Sequence, residues 1–226
     1  MRYIFPPATP AQVPIAGSDA VFPVHRVYCV GRNYADHAAE MGADTREPPF
    51  FFSKPADALI AGGDVPYPPA TGNLQHEVEL VVALAAGGVD IHSEEALRCV
   101  FGYTVGIDLT RRDLQQQARD KGHPWDMAKG FDHSAPIAAL QPVAAVGHPA
   151  KGPIWLNVNG QSRQRGDLGQ MSWKVAEIIA QLSTYVRLAA GDLIFTGTPA
   201  GVSTVARGDR LIAGIDGVGE LNITLV

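Results

Sequence analysis

Short apolar runs bounded by glycine or proline recur along the chain, a pattern that is typical of β-strands. Five prolines within residues 1–23 predict an extended, irregular N-terminal segment. Since few segments have helical periodicity, we expect one mostly-β α+β domain over residues 24–226. Strands are predicted at residues 27–30, 80–85, 101–107, 154–158, 193–196 and 221–226.

Three segments have the features of helices. Thr110 followed by Asp113 has a capping-box spacing, which predicts a helix through RRDLQQQARDKG. A second helix is expected from about Ser172, because WKVAEIIAQLSTYV places apolar side chains at helical spacing. Asn33 is a candidate N-cap for a brief helix over YADHAAEM.

The composition of the chain argues against a disordered, nucleic-acid-binding or membrane protein. Hydrophobic residues make up 46% of the chain and charged residues 18%, which suits a single core and is unlike a disordered chain. A net charge of −5 provides no basic surface for nucleic acid, so a small-molecule or protein partner is expected. The N-terminal prolines interrupt any signal-peptide core, and no run approaches the roughly 18 apolar residues of a membrane helix. We therefore expect a cytoplasmic protein that does not bind membranes, with Cys29 and Cys99 as buried free thiols rather than a disulfide.

Two glutamates interrupt one of the most apolar runs, LQHEVELVVAL. In a strand, Glu77 and Glu79 point to the same face, while His76 points to the other and is expected to be structural. Two adjacent carboxylates repel unless one binds a proton or a cation lies between them. An oxygen-rich pair of this kind suits Mg²⁺, Mn²⁺ or Ca²⁺, whereas the alternative is an edge strand with both glutamates in water.

Asp108 is a third candidate for the same cluster. It follows the predicted strand FGYTVGI, and the ends of strands are common positions for functional residues. Together with Glu77 and Glu79 it could occupy one face of an octahedral ion, leaving positions for water and substrate. The alternative role for Asp108 is helix capping.

Two further candidates have ordinary alternatives. His37 and Glu40 are three residues apart, so on a helical turn Glu40 could orient the imidazole as a general base. The same spacing fits an exposed surface pair. Lys129, in MAKGF, could stabilise an oxyanion or could be a surface lysine.

Six stretches in order resemble the fumarylacetoacetate hydrolase family: CVGRNYADHAAEMG, FFFSKP, HEVELVVAL, GYTVGIDLTRRDLQ, AKGFDHSAP and GDLIFTGTPAGV. They extend over most of the chain, from about residue 27 to residue 202. The chain is most similar to the short, lid-bearing acylpyruvate hydrolase branch. PPFFF, PYPP, TRRDLQ and GDL-x-QM are most similar to the fumarylpyruvate hydrolases of gentisate degradation. The resemblance implies a mixed β-roll with peripheral helices and a lid, in a homodimer.

The resemblance also implies roles for individual residues. The divalent ion, Mg²⁺ or Mn²⁺, would bind Glu77, Glu79 and Asp108, and His37 with Glu40 would activate water under the lid. Lys129 would stabilise the oxyanion or enolate. Residues matching substrate-binding positions are Arg112, Gln115 and Thr198, with Arg32 and Lys54 as candidates for a distal acid group. Arg112 could instead pair only with neighbouring carboxylates, and Thr198 could belong to an ordinary glycine-proline turn. A departure from many relatives is Phe131-Asp132-His133, which could change pocket polarity and substrate preference.

The expected reaction is hydrolysis of the C3–C4 bond of an acylpyruvate, a 2,4-diketo acid, most specifically fumarylpyruvate. A metal acting as a Lewis acid would stabilise the pyruvate carbanion as an enolate. Alternatives within the family are acetylpyruvate hydrolysis, oxaloacetate decarboxylation, and isomerisation or hydration of 2-oxo acids. A non-catalytic binding protein is a further alternative, but the three acids, His37 and Lys129 are all present.

Overall fold

Strands dominate the computed structural model, which describes residues 3–34 and 47–226. All six predicted strands are present, with ends displaced by at most two residues, and the expected mostly-β α+β class is confirmed. In chain order the strands are β1 (Gln12–Pro14), β2 (Val21–Pro23), β3 (Val27–Gly31), β4 (Phe50–Lys54), β5 (Leu59–Ile60), β6 (Gly63–Val65), β7 (Leu74–Gln75), β8 (Val78–Leu84), β9 (Val100–Ile107), β10 (Thr110–Arg111), β11 (Ala135–Pro136), β12 (Gln141–Pro142), β13 (Pro153–Val158), β14 (Gln161–Asp167), β15 (Leu193–Phe195), β16 (Thr204–Val205), β17 (Arg210–Ile215) and β18 (Gly219–Leu225).

Helices within the described residues are short and peripheral. They are α1 (Ser93–Ala96), α2 (Arg112–Lys121), α3 (Asp126–Lys129), α4 (Val143–Val146) and α5 (Val175–Tyr185), with single 3-10 turns at Ala56–Ala58, Leu97–Cys99 and Leu168–Gln170.

The predicted capping box at the start of α2 is wrong. Thr110 belongs to β10, and its hydroxyl donates to the carbonyl of Asp108. The Asp113 carboxylate instead accepts hydrogen bonds from the Thr71 hydroxyl and the Gly72 N–H, so it holds a neighbouring loop. The helix therefore begins two residues later than predicted, at Arg112.

The start of α5 also lies beyond the predicted position. The Ser172 N–H donates to the carbonyl of Asn33, which keeps this residue outside the helix. The Glu177 carboxylate accepts a hydrogen bond of 2.7 Å from the Lys174 N–H, so the helix begins at Val175. Its apolar side chains then pack into the main core, as the periodicity predicted.

A six-stranded mixed sheet, in the order β12-β9-β8-β15-β3-β4, holds the centre of the molecule. β3 and β15 are parallel, and the other neighbours are antiparallel. Both faces of this sheet are buried: Leu80 and Val82 of β8 pack into one core, and Val81 and Ala83 into a second. Burial on both faces explains why the strand has a continuous apolar run rather than alternation.

A five-stranded mixed sheet, in the order β14-β13-β17-β18-β6, packs against the first. Its inward side chains, including Leu156, Leu211 and Ile223, share the larger core with β8, β9 and α5. Residues of β14 such as Arg163 and Arg165 are exposed, while Gln164 between them is buried.

The N-terminal segment is more regular than predicted. β1 and β2 pair as an antiparallel ribbon, with Val13 opposite Phe22. Both side chains are buried in the second core, against the face of the six-stranded sheet that lies away from the five-stranded one. The prolines permit this ribbon because Pro14 and Pro23 lie at strand ends.

Two expectations for single residues have different outcomes. Asn33 is buried and its side-chain amide bonds other segments, while Tyr34 forms a β-bridge with Met171. The predicted helix over YADHAAEM otherwise lies outside the described residues. Cys29 is a buried free thiol, as expected, whereas Cys99 is free but only partly buried.

Candidate active site

Glu77, Glu79 and Asp108 come together where β8 begins and β9 ends. Glu77 immediately precedes β8, Glu79 is its second residue, and Asp108 directly follows β9. Because these strands pair antiparallel, the start of one meets the end of the other. One carboxylate oxygen from each residue lies within 4.8 Å of the other two. All three are buried and β8 lies between β9 and β15, which excludes the alternative of an exposed edge strand.

Three cationic side chains contact these carboxylates. Lys129 Nζ donates to Glu77 Oε2 at 2.9 Å and to Asp108 Oδ2 at 2.6 Å. Lys54 Nζ lies 2.8 Å from Asp108 Oδ1, and the Arg112 guanidinium pairs with Glu77 Oε1. Within the part of the chain that the structure describes, three carboxylates thus face three cations, and the cluster is close to neutral when all are ionised.

The two glutamates have opposite electrostatics. Burial disfavours ionisation of Glu77, but Lys129 and Arg112 outweigh it and hold the pKa of this carboxyl below its usual range. Burial, then the negative charges of Asp108 and Glu77, raise the pKa of Glu79 well above its usual value. Burial also disfavours the Lys129 ammonium, but Asp108 and Glu77 raise its pKa above that of a free lysine. Lys129 is therefore a cation. Glu79 is the carboxyl whose ionisation a further positive charge would favour most.

The cluster fits a divalent cation. Its donors are hard carboxylate oxygens, the type that Mg²⁺, Mn²⁺ and Ca²⁺ prefer. Asp108 Oδ1 is buried and accepts no hydrogen bond from the described residues, although it lies beside the Lys54 ammonium. A divalent ion bound by all three residues would satisfy that oxygen and stabilise ionised Glu79.

A pocket lies directly over this cluster. Glu77, Glu79 and Lys129 form part of its wall, and aromatic side chains close its sides. Its lining residues within the described chain are Val30, Gly31, Arg32, Phe50, Phe52, Glu77, Glu79, Arg112, Gln115, Trp125, Lys129 and Thr198. An anionic ligand in this pocket would lie near the two glutamates. It would also lie near the cations Arg32, Arg112 and Lys129 and the hydrogen-bond donors Gln115 and Thr198.

The structure brings most of the predicted site residues to this pocket. Arg112 contacts both Glu77 and Gln115, one helical turn away, and Arg32 lies beside Phe50. Thr198 is on the pocket wall.

Lys54 is positioned differently from its predicted role. It is absent from the described lining, and its buried ammonium reaches Asp108, the carbonyl of Leu109 and the carbonyl of Lys129. The two contacts with carbonyls are hydrogen bonds and the third is the ion pair with Asp108, so Lys54 supports the acidic cluster rather than a distal acid group of a substrate.

Phe131 also lies away from the described pocket lining, contrary to the expectation that this variation changes pocket polarity. The centroid of its ring lies 4.3 Å from the Arg111 guanidinium carbon and 5.5 Å from Lys54 Nζ. Its contact with the site is thus indirect, through Lys54. His37 and Glu40 lie outside the described residues, so their role stays a prediction.

The turn carrying Thr198 is held by two side chains that sequence reasoning did not identify as part of the site. The Asn33 amide donates to the carbonyl of Thr196 at 2.7 Å, and Gln164 Nε2 donates to Thr198 Oγ1 at 2.8 Å. Between them, the Gly197 N–H donates to Glu79 Oε2 at 2.6 Å. Gln164 lies in the polar strand QSRQRGD, and its composition offers no signal that this glutamine is buried.

Comparison with known proteins decides the family. A family model described as "Fumarylacetoacetate (FAA) hydrolase C-terminal" matches residues 26–226. The chain belongs to the fumarylacetoacetate hydrolase family. This confirms the resemblance read from the motifs, the mixed β-roll, and the prediction of an enzyme that is a hydrolase of carbon–carbon bonds.

Three similar proteins have names that give two different activities. A fumarylpyruvate hydrolase of Ralstonia sp is 42% identical over 180 residues, 79% of this chain and 93% of that protein. The crystal structure of fumarylpyruvate hydrolase from Pseudomonas aeruginosa in complex with Mn²⁺ and pyruvate is 52% identical. It superposes with a TM-score of 0.97, over 100% of this chain and 99% of that one. The mitochondrial oxaloacetate tautomerase FAHD1 of Mus musculus is also 42% identical, over 85% of this chain and 87% of that protein.

Among the described helices, none has the length and apolarity needed to cross a lipid bilayer.

Proposed function

We propose that this enzyme hydrolyses the C3–C4 bond of an acylpyruvate with a divalent metal, and that its substrate is fumarylpyruvate, giving fumarate and pyruvate in gentisate degradation. The observation that carries the proposal is the buried cluster of three carboxylates and three cations beneath the pocket. With a divalent ion added, the site gains two positive charges. A doubly negative ligand such as a diketo diacid then restores the balance.

The reaction requires an acceptor for negative charge. Water adds to the C4 carbonyl, the C3–C4 bond breaks, and its electron pair leaves with C3 of the pyruvate unit. Protonation at C3 then gives pyruvate, and C4 becomes the carboxyl carbon of the acid product. A divalent ion on Glu77, Glu79 and Asp108 would act as a Lewis acid toward that charge.

The chain's own side chains supply the rest of the electrostatics. Lys129 is fixed by two ion pairs and keeps its proton, so it is a permanent positive charge beside the developing anion. Arg112 and Gln115, held to each other, offer N–H donors from the start of α2. Because these groups are already oriented, little reorganisation is needed when charge develops.

The two ends of the substrate would be bound by different walls. Thr198 is the proposed donor to the pyruvate carboxylate, because it has a hydroxyl and lies on the pocket wall together with Glu77 and Glu79. Arg32 is the proposed partner of the distal carboxylate of fumarylpyruvate, and it lies on the pocket wall next to Phe50.

Water activation is assigned to His37 and Glu40, on the basis of the motif GRNYADHAAEMG. We expect His37→Ala to retain Mn²⁺ binding while turnover falls by a factor of about 10²–10⁴, the usual contribution of a general base. Titration calorimetry measures the first and pyruvate release the second. Retained turnover would remove His37 from this role.

The decisive assay compares fumarylpyruvate, acetylpyruvate and oxaloacetate with the Mn²⁺- and Mg²⁺-loaded protein. We expect loss of the diketo-acid absorbance and release of pyruvate, fastest with fumarylpyruvate. Faster hydrolysis of acetylpyruvate would keep the reaction and change the substrate. Absence of pyruvate from both diketo acids would contradict the proposal.

Oxaloacetate tautomerisation is the second candidate, favoured by the equal identity of the mouse tautomerase. It moves a proton between C3 and the enol oxygen, consumes no water and releases no pyruvate. Enol decay without pyruvate release, surviving in His37→Ala, would favour this candidate.

Assembly and location follow the family rather than any contact within one chain. A homodimer located in the cytoplasm is proposed. Light scattering on the purified protein that gives the mass of one 24.0 kDa chain would contradict the dimer.

A further inference from the structure

A single buried glutamine connects the second sheet to the pocket. Gln164 lies on β14 of the five-stranded sheet, is fully buried, and its amide reaches the turn that carries Thr198. Its Nε2 donates to Thr198 Oγ1 and to the carbonyl of Pro199, both at 2.8 Å. Its Oε1 accepts from the Val78 N–H at 3.0 Å and contacts His76 Nδ1 at 2.8 Å.

Two backbone partners fix the orientation of this amide. The Val78 N–H can only donate, so it must face the amide oxygen of Gln164. The carbonyl of Pro199 can only accept, so it must face the amide nitrogen. A flipped amide would place two donors together and two acceptors together. Its orientation, ordinarily ambiguous for a glutamine, is therefore determined.

The same orientation fixes the neighbouring histidine. Because Gln164 Oε1 accepts, His76 carries its proton on Nδ1. Its Nε2 then accepts from the hydroxyl of Ser203, 2.9 Å away. His76 is thus a structural residue, as the sequence suggested, and it holds the amide from the side opposite to Thr198.

The fixed amide also determines what Thr198 can do. A hydroxyl has one proton to donate and two lone pairs that accept. Since one lone pair accepts from Gln164, the hydroxyl proton is directed elsewhere, and Thr198 lies on the pocket wall. With the amide reversed, the hydroxyl would donate to Gln164 and present a lone pair to the ligand.

We infer that Gln164 is a positioning residue: its fixed amide makes the Thr198 hydroxyl a hydrogen-bond donor toward an anionic ligand oxygen in the pocket. This inference rests on the proposed role of Thr198 in carboxylate binding. A purely structural alternative exists, in which Gln164 only ties the two sheets together. The two differ in whether the effect of Gln164 on ligand binding passes through the Thr198 hydroxyl.

A double-mutant cycle separates them. The variants are Gln164→Met, Thr198→Val and the double substitution, in the full chain loaded with Mn²⁺, and the probe is pyruvate in titration calorimetry. We expect each single substitution to weaken pyruvate binding by about 10- to 100-fold, the value of a hydrogen bond to a charged group. In the Thr198→Val background, Gln164→Met should weaken it by less than about twofold further. Losses that multiply in the double variant would overturn the inference.

Three controls make the result specific. Gln161→Met, at an exposed position of the same strand, should leave pyruvate affinity unchanged. Thr198→Ser keeps the hydroxyl and should retain most of the affinity. Mn²⁺ affinity, measured without pyruvate, should change by less than about threefold in Gln164→Met, and a larger fall would show that Gln164 acts on the acidic cluster instead.

A second variant covers failure of Gln164→Met to fold. Gln164→Glu keeps an acceptor for the Val78 N–H, but once ionised it can only accept from Thr198. The pyruvate affinity of Gln164→Glu, divided by that of the parent, should fall as the pH is raised. If this ratio of affinities does not change with pH, the inference is overturned. If the parent hydrolyses fumarylpyruvate but the two losses of pyruvate affinity multiply in the double variant, the role of Gln164 is rejected and the proposed reaction stands. If the losses do not multiply but fumarylpyruvate is not hydrolysed, the proposed reaction is rejected and the role of Gln164 stands.

Discussion

At the scale of single residues, Lys129 bonds two of the three acidic side chains of the cluster. Its ammonium is buried between Glu77 and Asp108, and together with Arg112 and Lys54 it lowers the cost of burying both carboxylates. The lysine therefore has a structural effect in the metal-free protein as well as its proposed effect on the reaction.

Removing this charge should have consequences that depend on metal. We expect Lys129→Met to lower the free energy of unfolding of the metal-free protein by about 3–5 kcal/mol, because the buried carboxylates lose two charge-assisted hydrogen bonds and a shared cation. Mn²⁺ should recover part of this loss by supplying positive charge to the same oxygens. Urea unfolding with and without Mn²⁺ measures both values, and Lys151→Met, at an exposed position, is the matched control. An equal loss in both conditions would contradict this account.

Glu79 leads to a prediction about pH. Burial and the charges of Asp108 and Glu77 raise its pKa, so the metal-free protein keeps a proton there above the ordinary range of a glutamate. That proton favours the folded state below the unfolded pKa of about 4.3, and the benefit is lost as the pH rises through the folded pKa. Since metal binding requires the carboxylate, Mn²⁺ affinity should rise with pH and binding should release a proton. Calorimetry in two buffers of different ionisation enthalpy measures the release, and its absence would show that Glu79 is already ionised.

At the scale of elements, the turn over residues 196–199 joins the sheets to the pocket. It follows β15 and is tied to β8 by the Thr196 hydroxyl, which donates to the carbonyl of Leu80 at 2.9 Å. Gly197 has φ of +97°, and a Cβ there would lie 2.7 Å from Asn33 Cβ. Both the left-handed backbone and the close approach therefore require glycine at this position.

Gly208 is a natural comparison for this turn. It has a similar φ of +87°, but a Cβ there would meet no atom within 4 Å. We expect Gly208→Ala to cost about 1–2 kcal/mol of unfolding free energy, the strain of a left-handed backbone. Gly197→Ala should cost more and should also weaken Mn²⁺ binding, because the displaced N–H no longer reaches Glu79. Equal effects of the two substitutions on stability and on Mn²⁺ affinity would contradict this explanation.

For the whole molecule, the cores on both faces of the six-stranded sheet determine what happens when metal is removed. Those cores are extensive, and the acidic cluster is already paired with cations. Chelation should therefore abolish turnover but leave circular dichroism unchanged, with a loss of about 2.7 kcal/mol relative to protein at a metal concentration of 100 times Kd. Unfolding on chelation would instead indicate a structural metal, the alternative in which the protein does not catalyse a reaction.

The sequence predicted those features that depend on local pattern or on a small number of chemically distinctive residues. The six longer predicted strands have apolar runs between breakers, and Glu77, Glu79 and Asp108 were identifiable because carboxylates are costly to bury. The starts of α2 and α5 were displaced because the Asp113 carboxylate and the Ser172 N–H bond distant segments, Thr71 and Asn33, instead of capping their own helices. The roles of Lys54 and Gln164 depend on contacts across 54 and 34 residues of sequence, with Asp108 and Thr198, which no local pattern encodes.

The antiparallel pairing of β8 with β9 also separates the chemistry from the connection between these strands. Residues 85–99 join them at the end opposite to Glu77 and Asp108, roughly 20 Å away along seven residues of strand. A peptide tag or a reporter domain inserted in this connection would leave the acidic cluster and its pocket undisturbed. For the same reason, natural insertions in this connection would lengthen the chain without changing the active site.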